Sequence, residues 1–319
     1  MPWVTINGAH VLIGEDDGSR GPFAGTIEKA RKEKAHPARG EMREARREGT
    51  GKEAKIVMAD GSKAPDHIKP SMVPPKWTAV KIATDPKSEV LVTARDDKGR
   101  PKMVTSDSYN ARSAAVKFDR TTEMLEQHDK IAGEIQKARN GPQKEEAECA
   151  WLMQVQATRP GSERDTKADV KAYGATTLEA RHVVQSKDGV RLQFIGKEGV
   201  AHDHLVRDKE LGKMLMERKS SATSDSDKLF KTTDAKVRDF TAARDGGKFT
   251  PKDFRTSAAT RLAAETVQAD PRPSRDMKEH AQRVKAVATK VSGLLGNKPA
   301  EALKSYIHPG VFSDWSPRA

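Results

Sequence analysis

The chain has 319 residues, with 58 Lys and Arg against 46 Asp and Glu, a net charge of +12 and one cysteine, Cys149. A single cysteine excludes an internal disulfide framework and a multi-cysteine metal site, and no apolar run approaches the ~20 residues of a membrane span. With 35% hydrophobic and 33% charged residues, the chain suits two domains plus an extension, and its positive balance favours a polyanion such as nucleic acid.

Residues 1 to about 24 alternate apolar and polar through Val4, Ile6, Val11 and Ile13, with Asn7-Gly8 between the two runs. This predicts a short hairpin, closed off by a turn at Asp17–Pro22. From Thr26 to about Lys55 the chain is dense in charge and broken by Pro37, Gly40, Gly49 and Gly51. A solvated helix or a disordered basic linker is expected there. Residues 1–65 are thus assigned to an N-terminal extension, a hairpin plus a charged, partly disordered linker.

A second unit, 66–115, opens on the stiff Val73-Pro74-Pro75-Lys76-Trp77 segment. Period-2 alternation predicts strands at Thr78–Ile82, Glu89–Arg95 and Lys102–Thr105, with a turn at Asp96-Asp97-Lys98-Gly99. The result is a small antiparallel sheet with Lys and Arg on its polar face and an apolar face that needs a cover.

Beyond Tyr109 the period lengthens to three and four residues, so residues 116–319 form a mostly helical domain. Helices are expected over Ala147–Val155, Asp208–Arg218, Asp234–Ala243, Thr256–Thr266 and Met277–Leu295, with Leu178–Val184 as a further apolar helix or turn. A hairpin interrupts them at Val190–Val200, with Lys197 at its tip. Gly296 and Pro299 signal a helix stop and restart, placing Tyr306 on a short terminal helix that ends at Pro309. The fold class is therefore α+β, a small antiparallel sheet followed by a helical domain with an inserted hairpin.

Four side chains stand out chemically. Arg159 sits in Thr-Arg-Pro-Gly-Ser, where Pro and Gly fix the backbone, and Arg255 lies in Asp-Phe-Arg-Thr-Ser-Ala-Ala, among small residues that permit close approach. Two guanidiniums can clamp the nonbridging oxygens of a phosphodiester as charge grows. A lysine such as Lys197 can protonate a departing oxygen, and a tyrosine such as Tyr306 can attack in line. Each has an ordinary alternative: a loop arginine, an i,i+4 surface ion pair, a solvated turn lysine and a core tyrosine. His182 is expected to be packed or bonded to backbone. His202 and His204, two apart with no third partner, do not suggest a metal site, and Trp77 and Trp315 read as anchors.

Together Thr158–Ser162, Lys171–Leu178, Phe194–Lys197, Asp253–Thr256, Leu295–Pro299 and Lys304–Pro309 resemble the type IB DNA topoisomerases of bacterial and poxvirus type, with their tyrosine recombinase-like catalytic domain. The likeness covers roughly residues 66 to 315, including the sheet segment, which resembles the family's DNA-clamping N-terminal domain. It implies supercoil relaxation without ATP, metal or other cofactor, by strand cleavage, rotation and religation. Tyr306 would form a 3′-phosphotyrosyl link, with Arg159 and Arg255 stabilising the transition state and Lys197 as general acid. Asn297 would donate to a nonbridging oxygen, where many relatives carry histidine. The implied partner is double-stranded DNA, bound chiefly through phosphates and so with steep salt dependence. A monomer in the cytoplasm, associated with the nucleoid and not with a membrane, is expected.

Two other readings keep the DNA partner. A site-specific tyrosine recombinase shares the Arg and Tyr framework, but usually shows His-x-x-Arg where this chain has Lys252-Asp253-Phe254-Arg255. An architectural DNA-binding protein would use the same basic groove without the chemistry.

Overall fold

The computed structural model describes residues 36–166, 171–245 and 249–317, together with two short N-terminal strands, β1 (Trp3–Ile6) and β2 (Ala9–Leu12). These two pair antiparallel, Trp3 opposite Leu12 and Ile6 opposite Ala9, as the alternation around Asn7-Gly8 predicts. The expected turn at Asp17–Pro22 lies outside the described residues. The described residues fall into two compact units that part between Lys117 and Phe118, with β1 and β2 grouped with the second.

The first unit holds a five-stranded antiparallel sheet in the order β4-β3-β5-β6-β7. Strands β5 (Thr78–Ala83), β6 (Val90–Arg95) and β7 (Pro101–Thr105) fall where the alternation puts them. The other two correct the sequence reading, because part of the supposed linker is β3 (Met42–Glu48), paired with both β4 (Lys55–Met58) and β5. Its charges hide the strand locally, and two of its glutamates pair across it. Glu48 sits opposite Lys55 and Glu44 opposite Lys81 in the ladders, with side-chain separations of 3.4 and 3.8 Å, the cross-strand pairing that favours a sheet. The cover that the apolar face requires comes from the segment between β4 and β5. There Ala64, Ile68 and Val73 pack on Ile56, Val80, Ile82 and Val92.

The second unit contains helices α2 (His128–Ala138), α3 (Lys144–Gln156), α4 (Glu163–Thr166), α5 (Lys209–Ser220), α6 (Asp234–Asp245), α7 (Pro251–Gln268), α8 (Met277–Leu295) and α9 (Pro299–Ser305). Helix α1 (Asp107–Glu126) runs across the division of the chain. Helix α3 is buried on nearly every side, from Ala147 to Gln154. One apolar cluster gathers α2, α3, α5 and α6, and a second gathers α7, α8 and the C-terminal residues around Tyr306. Between the helices lies a three-stranded sheet, β8 (Val183–Ser186), β9 (Gly189–Ile195) and β10 (Ala201–Leu205), in the order β10-β9-β8. The expected two-stranded hairpin thus gains β8 from a stretch read as helix or turn. His202 and His204 lie within β10.

Two helix ends also differ from expectation. Helix α7 starts at Pro251, five residues early, because Asp253 accepts from both the N–H and the hydroxyl of Thr250 at 2.8 Å, a capping interaction that seeds the first turn. Helix α9 ends at Ser305, so Tyr306 is its C-cap and not a helical residue. Met277–Leu295 matches the predicted span, closed by Gly296 in the left-handed conformation at φ 60°.

Candidate active site

Helix α3 ends at Gln156, capped by Ala157 in the left-handed conformation at φ 50°, and the chain then turns through Thr158 and Arg159. This loop is pinned to the Tyr173–Thr177 segment by Ala175 N–H donating to Arg159 O (2.8 Å) and Thr176 N–H to Pro160 O (2.7 Å). Gly174 is required for that contact, since a Cβ there would stand 2.5 Å from Gly161 N and 2.7 Å from Arg159 O. Tyr173 N–H in turn donates to Ile195 O at 2.8 Å, fastening the same segment to β9. Two motifs that the sequence offers separately therefore form one rigid support for Arg159.

Arg255 ties the remaining pieces together. It lies on α7, is 3% exposed, and donates from Nη1 to Ala157 O (2.5 Å) and from Nη2 to Leu295 O. One guanidinium thus bonds the residue before the Thr158-Arg159 turn and the last residue of α8, two positions before Asn297. The alternative of a surface ion pair does not hold. Burial lowers its pKa to about 10, with the nearby Arg159 charge acting in the same direction. Neither Arg159 nor Arg255 has a carboxylate partner among the described residues, and Arg255 Nε is buried without a hydrogen bond.

Arg159, Lys197 and Arg255 line one narrow cleft with Thr158, Tyr173 and His202. Lys197 occupies a single 3-10 turn between β9 and β10, is exposed, and lacks an ion-pair partner among the described residues. Asn297 and Tyr306 do not line the cleft and adjoin it through Arg255. Both side-chain polar atoms of Asn297 are buried and unpaired, a costly arrangement that is expected where a ligand supplies the partners. Tyr306 is 6% exposed, with the Arg255 guanidinium carbon 5.4 Å from its ring centroid. Its backbone is held by Tyr306 N–H to Ala302 O (3.0 Å) and by the Thr260 hydroxyl donating to Tyr306 O (3.1 Å).

The histidines divide. His182 accepts the Glu179 N–H at Nδ1 (2.9 Å) and packs edge-on to Tyr173, as the sequence predicts. His202, in contrast, is part of the cleft wall, a role the sequence reading did not give it. Its signal was available, because residues two apart in a strand face the same side, so His202 and His204 had to point together.

The chain itself is similar to known proteins. The family described as "Eukaryotic DNA topoisomerase I, catalytic core" matches residues 106–313, about two thirds of the chain. The chain is also 26% identical over 263 residues to "DNA topoisomerase 1B" of Acanthamoeba polyphaga mimivirus, covering 76% of this chain and 77% of that protein.

Proposed function

Since the chain belongs to the eukaryotic DNA topoisomerase I catalytic-core family, we propose that it relaxes supercoiled DNA through a 3′-phosphotyrosyl intermediate formed by Tyr306. The carrying observation is the convergence of two guanidiniums without carboxylate partners, Arg159 and Arg255, on a cleft that also takes Lys197. Such a site suits a phosphodiester, whose nonbridging oxygens gain charge as the fifth bond to phosphorus forms.

In this reading the Tyr306 phenol gives up its proton to solvent and its oxygen attacks phosphorus while the bond to the 5′-oxygen breaks. Lys197 donates the proton that makes the departing group a 5′-hydroxyl. Asn297 offers its amide N–H to a nonbridging oxygen. An amide can donate that bond but supplies no proton, so acid chemistry rests on Lys197 alone. We take this Asn as a likeness to bacterial members of the family, several of which resemble the chain in carrying Asn there. Rotation of the free strand and attack by the 5′-hydroxyl restore the duplex, with no ATP or metal ion in the scheme.

Duplex DNA is the partner, and a monomer suffices, because all five groups come from one chain. We also assign to the sheet unit, residues 66–115 together with β3 and β4, the task of clamping the duplex. Its groove, lined by Arg39, Lys81, Arg95 and Lys102, adds sequence-independent phosphate contacts. Among the described residues no helix is long and apolar enough to cross a membrane, and we place the enzyme with the nucleoid in the cytoplasm.

The test is covalent capture. A duplex labelled at the 5′ end of the scissile strand is incubated with the protein and quenched with detergent. Label on the protein, mapped to the Tyr306 peptide and missing in Tyr306→Phe, is the expected result. Label on another residue, or retained in the mutant, contradicts the assignment.

A further inference from the structure

His202 occupies a position that two glycines exist to accommodate. A Cβ on Gly196 would stand 2.5 Å from its Nε2, and a Cβ on Gly296 would stand 2.2 Å from its Cε1. Gly196 precedes Lys197 and Gly296 precedes Asn297, so the imidazole is wedged between the turns that carry these two groups. One ring face stacks on Phe194, with centroids 4.7 Å apart and planes 7° from parallel. Nδ1 meets His204 Nε2 at 2.8 Å. That contact needs one N–H and one lone pair, so the two rings share a donor and an acceptor.

The charges around the pair are lopsided. Arg159 comes from the loop after α3, Arg255 from α7 and Lys197 from the β9–β10 turn, all cationic and all on the same cleft. Gly296 and Asn297 contribute no charge. On the strands, Asp203 is engaged by Arg191 at 2.7 Å, and Arg191 opposes a charge on His204 while Asp203 favours one. Burial, then His204, Arg255 and Arg159, pull His202 down to about 4, and burial followed by Arg255 lowers His204. In the free enzyme the pair is therefore neutral near pH 7, held so in part by the guanidiniums that a phosphate would neutralise.

We propose that the His202–His204 pair takes up one proton from solvent when a DNA phosphodiester enters the cleft, making His202 a positioning residue that locks the Lys197 turn to the Asn297 turn in the loaded enzyme. Only an N–H bond forms, and no covalent bond to DNA is involved. The inference rests on Arg159 and Arg255 being the phosphate ligands.

The experiment uses the Tyr306→Phe chain, in which the proposed nucleophile is removed. Duplex DNA is titrated calorimetrically near pH 6 in two buffers of different ionisation enthalpy, which counts protons bound on complex formation. Uptake approaching one proton per complex is expected, falling by at least half in both His202→Gln and His204→Gln. DNA affinity should then strengthen as pH falls, by at most about tenfold per unit for one linked proton. Uptake unchanged in both variants overturns the proposal. Imidazole nitrogen resonances in the chain with both histidines intact give a measure free of folding defects. A change to the imidazolium pattern on adding DNA supports the proposal, and neutral signals throughout overturn it. Arg159→Ala separates the two levels. If it leaves DNA affinity intact, the reading of the site fails; normal arginine-dependent binding without histidine-linked protons sinks only this inference.

Discussion

Arg255 shows how one side chain can be structural and chemical at once. Its two bonded carbonyls, Ala157 O and Leu295 O, lose their partners in Arg255→Ala, at about 1–3 kcal/mol for each buried group left unpaired. Urea unfolding should therefore show a clear loss of stability, and relaxation should drop by about 10²–10³, the usual cost of one transition-state donor. Arg255→Lys should restore neither, because one ammonium cannot bridge both carbonyls; full activity in that variant would contradict the bridging role. His182 gives a pH prediction. Burial pulls it down to about 4 from an ordinary 6.5, with Arg181 adding to the shift, so between those values the unfolded chain binds more protons than the folded one. Its contribution is present above pH 6.5 and is lost as pH falls toward 4, on the order of 3 kcal/mol. Urea midpoints at several pH values should show that slope, reduced in His182→Gln; an equal slope in the variant would rule out His182 as its source. At this scale the nominated residues were legible as types and spacings. What the sequence could not display was Arg255 reaching two carbonyls 98 and 40 positions away, or the unpaired amide of Asn297.

The elements act mainly by holding turns. Arg159 and Lys197 both stand on turns, and each turn is braced by a close backbone approach. Gly174→Ala would drive a methyl into Gly161 N and Arg159 O. We expect at least a tenfold loss of relaxation through displacement of Arg159, with near-normal circular dichroism; unchanged relaxation would mean that the loop tolerates the shift. The regular elements with strong local signals, such as α8 with its Gly296 stop and β5 to β7 with their alternation, could be read directly. Strand β3 could not, since Met-Arg-Glu-Ala-Arg-Arg-Glu has the composition of a solvated helix, and the pairing of Glu48 with Lys55 and of Glu44 with Lys81 appears only once β4 and β5 lie beside it. Strand β8 was missed because it is only four residues long, and Leu178–Val184, which mixes Glu179, Arg181 and His182 with apolar residues, carries no clear period of two. Tyr306 fell one residue outside its expected helix, where the Thr260 hydroxyl holds its carbonyl.

For the molecule as a whole, the net charge of +12 brings DNA to the surface without deciding what happens there. A recombinase or an architectural protein would share that attraction. The family match over residues 106–313 and the convergence of Arg159, Arg255 and Lys197 together favour relaxation by strand rotation, and Lys252, where recombinases usually carry histidine, is exposed on α7. The most direct measurement is relaxation of negatively and of positively supercoiled plasmid, in EDTA and without ATP, with the wild-type chain beside Tyr306→Phe. The account predicts that the wild type relaxes both signs and the mutant neither. Binding without relaxation by the wild type, or equal relaxation by the mutant, would contradict it.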